Sequence, residues 1–218
     1  QDAKLRAEIA ELLKKDGWDS STAKLLAAWD PYNQNVSAAF FDPEWTFAVR
    51  EGFDIVIGNP PYIRIQTLNE VDPEQTQWLK ERYRAAGKGN YDICVVFVER
   101  GLELTSNSGQ LAYILSHKFF NAKYGEPIRE LLSGGGHLRH VVHFGDQQVF
   151  PGATNYVCLL FLAKAGVKEC LWCQVDDLDT WLSSFSGKKR AVSQERFTRS
   201  EWNVVVGRQT RLFEKLSK

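Results

Sequence analysis

Two kinds of hydrophobic pattern alternate along this 218-residue chain. Apolar residues at helical spacing, with charged residues between them, run from Asp2 to Lys15 and predict an amphipathic helix that ends at Gly17. Farther on, the segment 53–58 is apolar or glycine at five of its six positions, which predicts a fully buried parallel strand. A pair of prolines follows almost at once, so we expect this strand to end in a stiff turn.

The elements after this turn alternate in type. The pattern predicts, in order, helices at 73–85 and 91–104, a strand at 109–115, a helix that ends at Leu132, and strands at 138–144 and 156–163. The last two strands are close in sequence, which favours an antiparallel pair or a local reversal. The order β-α-β-α-β-β therefore predicts an α/β fold whose sheet is mixed by an antiparallel strand.

Composition places the chain among ordinary globular proteins. Hydrophobic residues at 44% and aromatic residues at 12% can build a real core, so disorder is not expected. The longest apolar run, Tyr156 to Ala163, is too short for a membrane span, and no signal peptide is visible. The sequence predicts a soluble cytoplasmic protein. It begins at Gln1 and contains no Met, which we interpret as a piece of a longer protein.

Charge is balanced overall but not along the chain. The net charge is zero, whereas the segment 187–218 has nine Lys or Arg against three Glu. A local basic excess can contact nucleic acid, and a solvated surface is the alternative. The candidate DNA-binding residues in this segment are Lys188, Lys189, Arg190, Arg196 and Arg199, which we call the C-terminal basic residues.

The cysteines and histidines do not predict a metal site. Cys170 and Cys173 have a spacing found in zinc sites, but no second pair follows them. His140 and His143 fall in one predicted strand, and residues three apart on a strand face opposite sides of a sheet. The two imidazoles would therefore not converge on one ion, and we expect no metal.

The strongest chemical signal is Asn59-Pro60-Pro61-Tyr62, directly after the strand at 53–58. Open α/β sheets place their sites at the carboxyl ends of strands, and Gly58 would let a ligand approach the backbone. The exocyclic amine of a nucleobase is a poor nucleophile because its lone pair is delocalised. Two acceptors, the Asn59 side-chain oxygen and the Pro60 carbonyl, could localise that lone pair, while Tyr62 offers a face for stacking.

These four residues resemble the catalytic motif of adenine-N6 DNA methyltransferases, which use S-adenosylmethionine as methyl donor; a coincidental turn is the alternative. The resemblance implies that Asn59, Pro60, Pro61 and Tyr62 are catalytic and that Asn59 and Pro61 also contact the cofactor. It implies a Rossmann-like methyltransferase sheet, of which this chain would contain the second half. The likeness is greatest to large type IIG restriction–modification proteins, so double-stranded DNA is the expected partner.

Two later segments resemble the same family. Asn90-Tyr91-Asp92, followed by Phe97, resembles the helix that lines the cofactor pocket, which implies that Phe97 packs on the adenine ring of the cofactor. The segment 147–151 resembles the one whose aromatic residue stacks on the far side of the flipped base, which implies a pair of Phe150 with Tyr62. Core packing is the alternative for both phenylalanines.

One departure from the family concerns the first half of the domain. The family binds the methionine moiety and the ribose of the cofactor through a Gly-rich loop and an acidic residue upstream of the motif. Here only 58 residues precede Asn59, and they contain no Gly-x-Gly. We therefore expect a partial methyltransferase domain at 1–165, the beginning of a target-recognition region at 166–218, and a missing N-terminal half as a partner.

Other functions stay open from sequence. The same motif occurs in methyltransferases that act on the glutamine amide of release factors and in some RNA methyltransferases, because an amide nitrogen poses the same electronic problem. The long segment 63–90 and the basic C-terminal segment favour DNA over these. A non-catalytic DNA-binding remnant is the alternative from another class.

Overall fold

The computed structural model describes residues 2–30, 43–152 and 156–206, in two compact units that divide after Arg50. The first unit holds helices α1 (Asp2–Lys15), α2 (Ser20–Ala28) and α3 (Pro43–Phe47). The amphipathic helix predicted at the N-terminus is confirmed as α1. It ends at Gly17, whose φ of +94° is a conformation that residues with side chains rarely adopt.

The second unit contains a six-stranded sheet with helices between its strands. Its elements are β1 (Phe53–Gly58), α4 (Ile65–Val71), α5 (Pro73–Arg82), α6 (Cys94–Leu104), β2 (Thr105–Ser116), α7 (Glu126–Gly134), β3 (Leu138–His143), β4 (Val157–Ala163), β5 (Glu169–Gln174), α8 (Leu178–Ser184) and β6 (Lys188–Ser193). The predicted alternation of strands and helices is confirmed, although α6 begins at Cys94 rather than at Tyr91.

The strands lie in the order β1-β2-β4-β3-β5-β6. β1, β2, β3 and β5 run in one direction, whereas β4 and β6 run against it. The antiparallel pairing predicted for β3 and β4 is confirmed, and so is the mixed α/β sheet. The four parallel strands end on the same side of the sheet, which we call the carboxyl edge.

The burial predicted for β1 is wrong, although its parallel pairing with β2 is confirmed. β1 is the first strand of the sheet and has a partner on one side only. Val56 packs against the main core, but Ile55 and Ile57 point to the opposite face and are 70% and 80% exposed. An unbroken apolar run therefore marks an edge strand here, because pairing order decides burial and pattern alone does not.

Two hydrophobic clusters pack on the second unit's sheet. The larger one joins α6 and α7 to the strands, with buried residues such as Val95, Leu132 and Leu160. The smaller one lies toward the carboxyl edge and contains Val142, Phe144, Val157, Cys173 and Val175. Tyr62 and Phe150 pack against this second cluster, which thereby supports both predicted base-stacking rings.

Strands on both sides of residue 165 belong to this one sheet, since β5 pairs with β3 in parallel and β6 pairs with β5. The division into domains at 1–165 and 166–218 stays a prediction about the intact protein. No helix within the described ranges is both long and apolar enough to cross a membrane.

Candidate functional site

The turn Asn59–Tyr62 lies at the carboxyl edge, as predicted. It follows β1 directly, and Gly58 at the end of β1 pairs with Tyr113 of β2. Asn59 is exposed, Pro60 is buried and Tyr62 is half-buried. The turn thus presents an amide to solvent while its first proline anchors it to the protein.

The expectation that Gly58 lets a ligand approach the backbone is wrong. A Cβ atom at this position would lie 3.2 Å from Cε1 of Tyr113, which is closer than ordinary van der Waals contact. The space beside Gly58 is therefore filled by the tyrosine ring of the neighbouring strand. Glycine is needed here for strand packing.

The hydroxyl of Tyr62 binds the side chain of Asn59. It lies 2.8 Å from Asn59 Oδ1 and 3.2 Å from the carbonyl oxygen of Ile114, and its single proton favours the shorter contact. Burial raises the pKa of Tyr62 to about 12, so the hydroxyl is protonated and donates at neutral pH. The acceptor predicted for the substrate amine is engaged by Tyr62 in this structure.

The rings of Tyr62 and Phe150 contact each other, with centroids 6.4 Å apart and planes inclined by 55°. The structure thus brings together the two residues predicted to sandwich a base. Two carbon contact distances place parallel rings about 7–8 Å apart when a third ring lies between them. A base can enter between Tyr62 and Phe150 only if the rings separate and turn toward parallel.

Phe97 lies on α6 and is 41% exposed, while its neighbours Val96 and Val98 are buried in the core. Its ring is therefore available to a ligand and is held by a rigid helix. Pro61 is half-buried in the motif turn. The cofactor contacts implied for Phe97 and Pro61 stay predictions.

The chain is tied down immediately after the motif. Arg64 forms a β-bridge with Asp92, and two backbone hydrogen bonds flank it: Ile65 N–H donates to Tyr91 O at 2.9 Å, and Ile93 N–H donates to Ile63 O at 2.8 Å. The long segment 63–90 is therefore closed at its base. The motif turn is consequently held from both sides, by β1 before it and by this bridge after it.

Sequence reasoning missed a pair of histidines at the carboxyl edge. His117 follows β2, His143 ends β3, and their ring centroids are 4.2 Å apart. Burial lowers the pKa of His117, and burial together with the nearby His117 lowers the pKa of His143 to about 4. The available signal was their position at strand ends, because we considered His143 only as a metal ligand.

The C-terminal basic residues do not share one surface. Lys188 pairs with Gln174 at the carboxyl edge, whereas Arg196 follows β6 at the opposite end of the sheet. Lys188 also forms an ion pair with Asp176 at 2.8 Å, and Arg190 Nη1 donates to Val205 O at 3.0 Å. The remaining two, Lys189 and Arg199, are exposed.

No group of three or more potential metal ligands occurs in the part of the chain that the structure describes. His140 stacks on Phe161 with centroids 5.3 Å apart, whereas His143 stacks on Trp172 at 5.6 Å. Their predicted placement on opposite faces of the sheet is confirmed. Cys170 is buried and unpaired.

Comparison with known proteins identifies a family. Residues 2–150 match the family described as "Eco57I restriction-modification methylase". The chain is 34% identical over 131 residues to the type II restriction enzyme and methyltransferase RM.Eco57I of Escherichia coli, which covers 60% of the chain and 13% of that protein. It is 32% identical over 166 residues to the type II methyltransferase M.PaeR7I of Pseudomonas aeruginosa, covering 73% of the chain and 26% of that protein.

Among solved structures, a type I restriction–modification methyltransferase subunit from Streptococcus thermophilus is similar at 18% identity and a TM-score of 0.49. That alignment covers 70% of the chain and 36% of the subunit. The chain thus spans well under half the length of each of these proteins.

Proposed function

The chain belongs to the Eco57I restriction–modification methylase family, and from this premise we propose that the intact protein is a site-specific DNA methyltransferase that modifies adenine at N6. The methyl donor in this proposal is S-adenosylmethionine. The observation that carries it is the position of Asn59-Pro60-Pro61-Tyr62 at the carboxyl edge, with Phe150 against Tyr62. An amide, a backbone carbonyl and two aromatic rings suit an amine on a flat base.

The two acceptors act on the amine of the flipped adenine. Asn59 Oδ1 and the carbonyl of Pro60 accept its two N–H groups, which returns the nitrogen lone pair from the ring toward the incoming methyl. Because Tyr62 holds Asn59 Oδ1 in this structure, binding of the base exchanges one donor for another. The amide therefore loses no hydrogen bond as the substrate enters.

The aromatic pair stabilises the base outside the duplex. Flipping a base out costs a few kcal/mol, and stacking of a base on an aromatic side chain contributes about 1–3 kcal/mol. Faces on Tyr62 and Phe150 together offset that cost. Both rings rest on the same small hydrophobic cluster, so their separation opens a site between them without disturbing the main core.

Phe97 and Pro61 would hold the cofactor in this proposal. The exposed ring of Phe97 on a rigid helix fits the adenine of S-adenosylmethionine, whose positively charged sulfur supplies a reactive methyl group when bound. The methionine and ribose groups need polar contacts that, by the family's pattern, come from before the motif. We assign these contacts to a preceding half of the domain in the intact protein, in line with the absence of Gly-x-Gly before Asn59.

Double-stranded DNA is the proposed macromolecular partner. Lys189 lies on β6 near the carboxyl edge and is exposed, so it is free to approach a phosphate near the site. Arg199 is also exposed. Lys188 would have to leave Asp176 to bind phosphate, which makes its contribution smaller.

The test is Asn59→Ala in the intact protein, measured as transfer of a radioactive methyl group to duplex DNA. Loss of one acceptor aimed at the reacting group is expected to lower kcat about 10²–10³-fold and to leave DNA binding largely intact. Asn107→Ala is the matched control, because Asn107 is an exposed asparagine near the start of β2, away from the carboxyl edge.

Digestion of the methylated DNA to nucleosides identifies the modified base. N6-methyladenine supports the proposal, and methylation of cytosine contradicts its base specificity. Unchanged turnover in Asn59→Ala would show that the catalytic assignment is wrong. Methyl transfer to a release factor or to RNA, with none to DNA, would replace the proposed substrate class.

A further inference from the structure

The two histidines at the carboxyl edge bind one residue between them. Gly145 N–H donates to His143 Nδ1 at 3.1 Å, and Nε2 of His117 lies 3.0 Å from Gly145 O. In the sheet β4 lies between β2 and β3, so the rings of His117 and His143 meet across the start of β4. We call this arrangement the histidine clamp: His117, His143 and Gly145.

The hydrogen bonds assign the protons of both rings. A carbonyl oxygen has no proton to give, so Nε2 of His117 must donate to Gly145 O. Nδ1 of His143 accepts from an N–H and must therefore be unprotonated, which leaves the proton of the neutral ring on its Nε2. The low pKa of His143 agrees with this neutral form. Both rings are thus Nε2–H tautomers.

Gly145 is the point at which the chain leaves β3 for Phe150. Its φ of +62° turns the backbone in a way that glycine tolerates best. Beyond it, Gln147 N–H donates to Phe144 O at 3.2 Å, and its side-chain amide donates to Val175 O at 2.9 Å. The segment 145–150 is therefore fixed at its start, and Phe150 at its end reaches the ring of Tyr62.

We propose that His117 and His143 are positioning residues that hold Phe150 opposite Tyr62. By binding both the N–H and the C=O of Gly145, they set the direction in which the segment 145–150 leaves the sheet. Neither imidazole needs to touch substrate for this role. The consequence for methylation rests on the proposed function, whereas the clamp itself is a property of this chain and can be tested without catalysis.

Conservative and disruptive substitutions separate this role from general packing. His143→Asn puts an amide oxygen where Nδ1 stands and keeps an acceptor for Gly145, whereas His143→Leu keeps bulk and removes it. His117→Gln keeps a donor near Nε2, whereas His117→Leu removes it. If one leucine variant fails to fold, the comparison is made with the pair at the other histidine.

The first measurements use the 218-residue chain. Nitrogen-15 NMR of the unsubstituted protein reports the tautomers, and an Nδ1–H tautomer at either histidine would overturn the clamp. Amide hydrogen exchange of Gly145 is expected to speed up about tenfold in His143→Leu and to stay near the parental rate in His143→Asn. Equal exchange rates in both variants would also overturn it.

The second measurement uses the intact protein and duplex DNA with 2-aminopurine at the target base. Without the clamp Phe150 is misplaced, so we expect kcat to fall at least tenfold in His143→Leu, with an altered stacking signal and an unchanged KM for the cofactor. His143→Asn should restore both readouts. Equal losses in the asparagine and leucine variants contradict a positioning role. If Asn59→Ala retains full activity, the proposed function fails, while the exchange rates still decide the clamp.

Discussion

Replacing Tyr62 by phenylalanine separates two roles of this residue. The change removes the hydroxyl that donates to Asn59 Oδ1 at 2.8 Å and keeps the ring that contacts Phe150. A hydrogen bond of this kind contributes about 0.5–1.5 kcal/mol to the free energy of unfolding. For a chain of this length, 1 kcal/mol corresponds to a shift in Tm of about 2–4 °C. We therefore expect Tyr62→Phe to lower Tm by a few degrees.

Binding of the flipped base should change in the opposite direction. In the unsubstituted protein the hydroxyl must release Asn59 before the amide can accept the substrate amine, so part of the binding free energy is spent on that exchange. Without the hydroxyl, Asn59 Oδ1 is already free, and the base should bind about 2–10-fold more tightly. Tyr62→Ala should instead weaken binding, because a stacking face worth about 1–3 kcal/mol is lost.

Thermal unfolding of the chain and titration of the intact protein with DNA containing 2-aminopurine give the two quantities. Tyr156→Phe is the control, since it removes the hydroxyl of an exposed tyrosine and should change stability by less than about 0.5 kcal/mol. An unchanged Tm in Tyr62→Phe would refute the hydrogen bond. A lower Tm with weaker base binding would refute the idea that Tyr62 competes with substrate for Asn59.

Three further predictions concern pH, salt and the cofactor. The pKa of His143 is about 4 in the folded chain against about 6.5 when unfolded, so the unfolded state binds more protons between these values. Stability should therefore be complete above about pH 6.5 and fall by at most about 3 kcal/mol toward pH 4, which urea unfolding measures; an equal slope in His143→Asn would contradict this. Neutralising Lys189 or Arg199 in the intact protein should flatten the log–log salt dependence of DNA affinity by about one for each phosphate contact, and an unchanged slope for all C-terminal basic residues would indicate a solvated surface. The isolated chain should bind S-adenosylmethionine at millimolar Kd or more weakly, because Phe97 offers apolar contact but polar contacts worth about 0.5–1.5 kcal/mol each are missing; micromolar binding in calorimetry would contradict the assignment of those contacts to a preceding half.

Local chemistry explains which features were predictable from sequence. Proline restricts its own backbone and that of its neighbour, so the strand at 53–58 and the turn after it could be located from residues alone. Helical and strand periods likewise predicted α1, α6 and the antiparallel pair β3 and β4, which lie close together in the chain. These features depend on neighbours within a few tens of residues.

Features that depend on strand order were decided only by the tertiary structure. The exposure of Ile57 follows from the place of β1 at one end of the sheet, and the clamp exists because β4 lies between the strands that carry His117 and His143. The contact of Tyr62 with Asn59 and Phe150 likewise joins side chains from different parts of the chain. The sequence alone determined which groups could act on an amine at the end of a strand, and the long-range pairing of strands determined what holds those groups in place, because hydrophobic period encodes the type of an element and not its neighbours.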